Sequence, residues 1–175
     1  MSKNKAAFFD RDGTLIKDKN YLLSIDQVEL ISETVLLCRI LQNAGYKIFV
    51  VTNQSGVARG FFTEESVIEV NNHIQLLLGK ENVFIEKFYY CPHHPTSATI
   101  EKYQKNCFCR KPNPGMLLQA CSEFDINMSE SFMFGDKLLD VEAGIAAKCK
   151  SFFIQKIFES KVKTIEDLLS LENSN

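Results

Sequence analysis

Hydrophobic positions along the chain switch between two periods. Short apolar runs at Ala6 to Asp10, Lys47 to Thr52, Val83 to Tyr90, Ser131 to Phe134 and Ser151 to Ile154 predict strands. Between them, helical spacing puts Val35, Cys38, Leu41 and Ala44 on one face, and Val67, Val70, Ile74 and Leu77/Leu78 on another. Ser32 is the expected N-cap of the first helix and Gly45 its left-handed close; Thr63 caps the second, which ends at Gly79. Asn113-Pro114 predicts an N-cap with proline at the first helical position, opening a helix to about Phe124. Further helices are expected over Leu138 to Ala147 and Ile165 to Leu171. Residues 11–31 read as a loop or small hairpin, and 53–62 as a loop. Residues 91–112 form a polar loop of about twenty residues, long enough to need its own anchor.

Strands alternating with helices predict an α/β fold with a doubly wound parallel sheet, in which ligands bind beyond the carboxyl ends of the strands. The polar residues at those ends are Asp10, Thr52, Cys91 and Asp136. The 175 residues suit a single domain, and 45% hydrophobic with 24% charged residues is globular composition. A net charge of −2 disfavours a general nucleic-acid partner, which needs a concentrated positive field. No apolar run approaches the roughly 18 residues that cross a bilayer, and the first residues lack a signal-peptide core, so the expected location is the cytoplasm. Cys38, Cys121 and Cys149 stand isolated among apolar residues and are expected to be inert buried thiols.

Asp10-Arg11-Asp12-Gly13-Thr14 ends the first strand. Residues two apart on an extended chain point the same way, so Asp10 and Asp12 can face one substrate. Their mutual repulsion would be relieved by a hard cation such as Mg²⁺. Asp10 can then attack phosphorus, while Asp12 gives a proton to the leaving oxygen and takes one from water. Alone, this segment reads more readily as a charged surface turn, and calcium loops share its pattern. Its distant partners alter the balance. Thr52, followed by Asn53-Gln54-Ser55-Gly56, can offer a hydroxyl and turn amides to phosphate oxygens. Lys111 can place a positive charge at the nucleophile, Arg110 can grip a second anionic group, and Asp136 can complete a magnesium shell, with Asp140 one helical turn further on.

With these four segments in order, the chain resembles the haloacid dehalogenase superfamily of phosphohydrolases. The resemblance implies a Rossmann-like core, an aspartyl-phosphate intermediate, and Mg²⁺ held by Asp10, Asp136 and the main-chain carbonyl of Asp12. About 40 residues separate Asp12 from Thr52 and 59 separate Thr52 from Lys111, which leaves no space for a separate cap domain. Selectivity must then come from residues 17–25, 53–62 and 91–111.

Cys91-Pro92-His93-His94 and Cys107-Phe108-Cys109 supply a Cys-x-His and a Cys-x-Cys thirteen residues apart. Three thiolates and an imidazole make a complete tetrahedral Zn²⁺ shell, consistent with a structural site bracing the loop 91–111 ahead of the helix near 113. Matching one-residue gaps favour His93 as the fourth ligand, with His94 open by spacing alone. Together with Val51 to Gly60 and Gly135-Asp136-Lys137-Leu138, this loop is similar to the zinc-containing branch that holds heptose 1,7-bisphosphate 7-phosphatases and histidinol-phosphate phosphatases. That resemblance implies zinc at Cys91, His93, Cys107 and Cys109, and catalysis by Asp10, Asp12, Thr52 and Lys111. It also implies substrate contacts at Asp18, Lys19, Asn20, Tyr21, Asn53, Gln54, Ser55, Arg59, Arg110 and Lys137. Asn20 stands where those heptose enzymes carry glycine, a replacement that tolerates positive φ. The expected substrate is a small-molecule sugar bisphosphate, dephosphorylated by a monomer without nucleic acid or membrane, toward the activated heptose of lipopolysaccharide core or surface glycans. Histidinol phosphate is the alternative substrate, and a non-catalytic zinc-stabilised binding module is the alternative of another class.

Overall fold

The computed structural model describes residues 3–22 and 24–172. Five strands, β1 (Lys5–Phe9), β2 (Tyr46–Asn53), β3 (Ile85–Cys91), β4 (Phe132–Gly135) and β5 (Lys150–Phe153), form one sheet in the order β3-β2-β1-β4-β5. Every neighbouring pair is parallel. The helices are α1 (Ser32–Asn43), α2 (Glu64–Lys80), α3 (Gly115–Phe124), α4 (Leu138–Ala146), α5 (Ile154–Glu159) and α6 (Ile165–Glu172).

Side chains alternate across a strand, so β1 feeds two cores. Ala7 and Phe9 join Ile48, Val50, Phe132 and Phe134 on the face covered by α1, α2, α5 and α6. Ala6 and Phe8 join Phe49, Val51 and Met133 on the face covered by α3 and α4. Burial on both faces explains the near-continuous apolar runs. Aromatic rings carry this packing between strands, with centroids 5.4 Å apart for Phe8–Phe49 and 4.9 Å for Phe9–Phe134. The chain turns toward β2 on one side of β1 and toward β4 on the other, so the topological switch point lies at the carboxyl end of β1.

Local chemistry departs from the expected caps in several places. Thr63 does cap α2, its hydroxyl accepting from the Ser66 amide. Ser32 instead lies inside α1 and its hydroxyl engages Glu33, while Ile31 is the N-cap. Asn113 donates to the Cys107 carbonyl, leaving Pro114 at the start of α3. Gly79 is an interior residue of α2, and the left-handed residue beyond the helix is Asn82, at φ +57°. Helix α5 begins where the apolar run of β5 was expected to continue. Burial pushes the Cys38 and Cys149 thiols up, as befits inert core residues. Cys121 is only half-buried and its thiol donates to the Ile126 carbonyl. Among the described residues no helix is long and apolar enough to cross a membrane.

Candidate active site

Asp10 follows β1 directly, and its amide donates to the Phe134 carbonyl of β4 at 2.9 Å, so its carboxylate starts at the switch point. Lys111 reaches it from the far end of the 91–111 loop. The ammonium is fully buried, 2.5 Å from Asp10 Oδ1, 2.6 Å from Asp140 Oδ1, and donates to the Val51 carbonyl at 2.7 Å. Burial opposes the charge on Lys111, and the two facing carboxylates overcome it, leaving its pKa raised. For Asp10, burial dominates over the attraction of Lys111, with added repulsion from Asp140 and Asp12, and its pKa rises to about 7.

Asp136 lies under the same spot, and burial raises its pKa too. One of its oxygens, Oδ1, is buried with no hydrogen-bond partner. Oxygens of Asp10, Asp136 and Asp140 lie within 4.8 Å of one another. Three carboxylates around one buried ammonium leave uncompensated negative charge, and the orphaned Asp136 oxygen points to what compensates it. The donor set fits a hard divalent cation held by oxygen. Gly13 makes this approach possible: it sits at φ +84°, and a Cβ there would meet Asp136 Oδ2 at 2.5 Å.

Asp12 is held outside that carboxylate cluster. Arg11 Nε and Gln54 Nε2 donate to its Oδ2 at 3.1 and 2.8 Å, and the Thr52 hydroxyl lies 3.5 Å from the same oxygen. Gln54 also donates to Thr52 Oγ1 at 2.8 Å. Arg11 is itself buried and tied to Asn71 of α2 at 3.1 Å, so its guanidinium fixes the Asp12 carboxylate. Asp10, Asp12, Thr52, Lys111 and Asp136 thus meet at one sheet edge.

Above them opens a cleft of about 280 Å³. Asp18, Asn20, Tyr21, Gln54 and Ser55 line it on one side, and Arg110 and Lys137 add positive charge. Lys137 Nζ lies 3.4 Å from Asp18 Oδ2, and Asn20 takes the expected left-handed backbone at φ +50°. Two expected contacts fall outside this lining: Lys19 turns to Glu29, 3.6 Å away, and Arg59 is half-buried behind the rim. Asn53 borders the cleft, but its amide is engaged with the Lys111 backbone, donating to the carbonyl at 3.0 Å and accepting from the amide at 3.1 Å. Asn53→Ala is therefore expected to lower kcat about 10- to 100-fold by loosening Lys111, with KM much less altered; steady-state kinetics check this. The pairing of Arg11 with Asn71 and the grip of Asp140 on Lys111 escaped the sequence reading. Only the i, i+4 spacing of Asp136 and Asp140 hinted at the second.

The cysteine loop closes on itself a short way from Lys111. Sγ of Cys109 lies 3.2 Å from Cys91, 3.3 Å from Cys107 and 3.4 Å from His93 Nδ1; Cys91 lies 3.4 Å from Cys107 and 3.6 Å from His93 Nδ1. Such spacings exceed any disulfide bond and approach the edges of about 3.7 Å of a tetrahedron with ~2.3 Å metal–sulfur bonds. His94 lies outside this cluster, and its Nδ1 accepts from the Thr96 and Ser97 amides. Arg110 donates to the His93 carbonyl at 3.1 Å, which couples the cluster to the rim of the cleft.

A family model described as polynucleotide kinase 3 phosphatase matches residues 5–151. A D-glycero-beta-D-manno-heptose-1,7-bisphosphate 7-phosphatase of Photorhabdus laumondii is 46% identical over 82% of this chain and 76% of its own length. Its counterpart in Haemophilus influenzae is 44% identical over 84% of this chain and 79% of its own. Among solved structures, a D,D-heptose 1,7-bisphosphate phosphatase from B. bronchiseptica, complexed with magnesium and phosphate, superposes with a TM-score of 0.74 at 27% identity, covering 85% of this chain and 79% of that one.

Proposed function

The chain belongs to the polynucleotide kinase 3 phosphatase family and, within the haloacid dehalogenase fold, to its heptose-bisphosphatase members; from that premise we propose that it removes the 7-phosphate of D-glycero-β-D-manno-heptose 1,7-bisphosphate. The observation that carries the chemistry is the buried Lys111–Asp10 pair beside the Asp10, Asp136 and Asp140 oxygens at the switch point. Asp10 is the nucleophile, forming an aspartyl phosphate as the sugar oxygen leaves. Asp12, held by Arg11 and Gln54 at the side of the same space, delivers the proton to that oxygen and later takes one from the attacking water. Lys111 and the Thr52 hydroxyl meet the phosphoryl oxygens. Mg²⁺, held by Asp10, Asp136 and the Asp12 carbonyl, supplies neutralisation of the phosphoryl charge when bound. Arg110 and Lys137 offer positive charge to the second phosphate.

Zinc at Cys91, His93, Cys107 and Cys109 is the structural metal in this reading, supported by a closed shell of four protein ligands. A reducing cytoplasm suits that thiol cluster and is the proposed site of action.

The test is phosphate release with Mg²⁺ from both anomers of heptose 1,7-bisphosphate, fructose 1,6-bisphosphate, histidinol phosphate and a 3′-phosphorylated duplex. The β-heptose bisphosphate should give the highest kcat/KM. A higher value for histidinol phosphate would transfer the activity to that substrate. The family description brings in the nucleic-acid arm, against which stands the net charge of −2.

A further inference from the structure

Two aromatic rings meet across the mouth of the cleft. Tyr21 lines the cavity, and its ring packs edge-on against Phe61, with centroids 4.8 Å apart and planes at 77°. Phe61 does not line the cavity and is 53% exposed, a large apolar ring left in solvent beside a polar site. Tyr21 projects from a backbone at φ +81°, a conformation a bulky residue rarely holds without a partner.

The two rings sit on separate supports. Phe61 belongs to a loop hydrogen-bonded turn by turn: Arg59 to Ser55 at 3.1 Å, Gly60 to Val57 at 3.0 Å and Phe61 to Gly56 at 2.9 Å. Phe62 seals it by packing over Gly56, where a Cβ would sit 2.3 Å from its ring. The same loop begins at Gln54, which holds Asp12, so Phe61 is in fixed register with the reacting groups. The segment around Tyr21 is anchored on one side by Leu22, buried in the main core, and on the other by an Asx-type bond from the Asn20 amide to Asp18 and the rim ion pair of Asp18 with Lys137. The Tyr21 ring itself has Phe61 as its nearer ring neighbour and Phe62 further off, at 6.3 Å.

We infer that Phe61 is a positioning residue that fixes the Tyr21 ring as an apolar wall for the carbon skeleton of the sugar substrate, so that it acts on substrate selection rather than on chemistry. This rests on the sugar-phosphate reading above. A sugar presents hydroxyls at its edge and C–H bonds on its faces, and the electron-rich face of an aromatic ring attracts the latter. Among the described residues no separate cap covers the cleft, and the two rim loops joined by these rings do part of that work.

The experiment compares Phe61→Ala, Phe61→Tyr and wild type on β-heptose 1,7-bisphosphate and on acetyl phosphate, which has no sugar. Phe61→Ala should raise KM for the bisphosphate roughly three- to tenfold, the range expected for a lost aromatic contact, with kcat within about twofold. KM for acetyl phosphate should change less than about twofold, and Phe61→Tyr should restore the wild-type KM. An unchanged bisphosphate KM, an equal rise for both substrates, or no restoration by tyrosine would overturn the inference. Wild type that cleaves acetyl phosphate but no heptose bisphosphate would instead overturn the substrate assignment.

Discussion

Asp10→Asn is expected to reduce phosphate release by on the order of 10⁴-fold or more while leaving the fold intact. The loss follows from removing the proposed nucleophile, since an amide cannot form the aspartyl phosphate, and the remaining electrostatics have no covalent step to assist. The fold survives because Lys111 keeps Asp140 at 2.6 Å and the Val51 carbonyl at 2.7 Å. Stability adds an independent reading. Asp10 binds its proton more tightly in the fold, at about 7, than near its ordinary value of 3.8, because burial disfavours the carboxylate. In that window the native state holds a proton that the unfolded chain has released, so metal-free wild type loses stability as pH rises from about 4 to about 7. Asp10→Asn removes this part of the slope, while Asp136, also raised by burial, keeps its own contribution. Melting temperature against pH in chelator should therefore fall for wild type over that window and stay flatter for the variant, with the gap widest near neutrality. Turnover within tenfold of wild type would remove Asp10 from the nucleophile's role, whatever the melting curves show.

Strand ends were the most legible part of the site. Asp10, Thr52 and Asp136 each close a buried apolar run, and in a parallel sheet all such ends share one edge. Lys111 was legible from its place just before a helix, although its full burial was not: a lysine among polar loop residues looks solvated until Asp10 and Asp140 are seen facing it. Contacts between distant, individually ordinary residues left no local signal. Arg11 clamps its neighbour Asp12 and finds Asn71 at a sequence distance of 60 residues. Asn53, expected on the substrate, borders the cleft and is also engaged with the Lys111 backbone, a contact made because the end of β2 runs beside the cysteine loop. The same limit governed the caps. Asn113 and Ser32 have suitable side chains, but nearer partners, the Cys107 carbonyl and Glu33, claim them. Helix α5 was missed because Ile154, fully buried, continues the apolar run of β5 in sequence while changing period in space.

Cys107→Ser is expected to lower the melting temperature by on the order of 10 °C, since metal binding in such loops is folding free energy and a protein of this size shifts about 2–4 °C per kcal/mol. The reason lies in what the loop otherwise has to hold it. Its ties to the body include the Gln54 amide on the Cys91 carbonyl at 2.8 Å, the Tyr103 hydroxyl on Glu64 at 2.5 Å, the Thr99 amide on the Ala58 carbonyl at 2.8 Å and the Asn53 grip on Lys111. None of these reaches His93, whose carbonyl accepts from Arg110. Loss of the proposed zinc therefore frees Arg110 first, whereas Lys111 stays bound to Asp10 and Asn53. The kinetic outcome should be asymmetric: KM for a bisphosphate rises strongly, and kcat with a monophosphate falls little. Chelator should lower the melting temperature of wild type toward that of Cys107→Ser and leave the variant unmoved, and elemental analysis should find about one zinc per wild-type chain. Purified wild type free of zinc, or a melting curve indifferent to chelator, would remove the metal from this loop. A collapse of kcat at unchanged KM would show instead that the cluster holds Lys111 rather than Arg110.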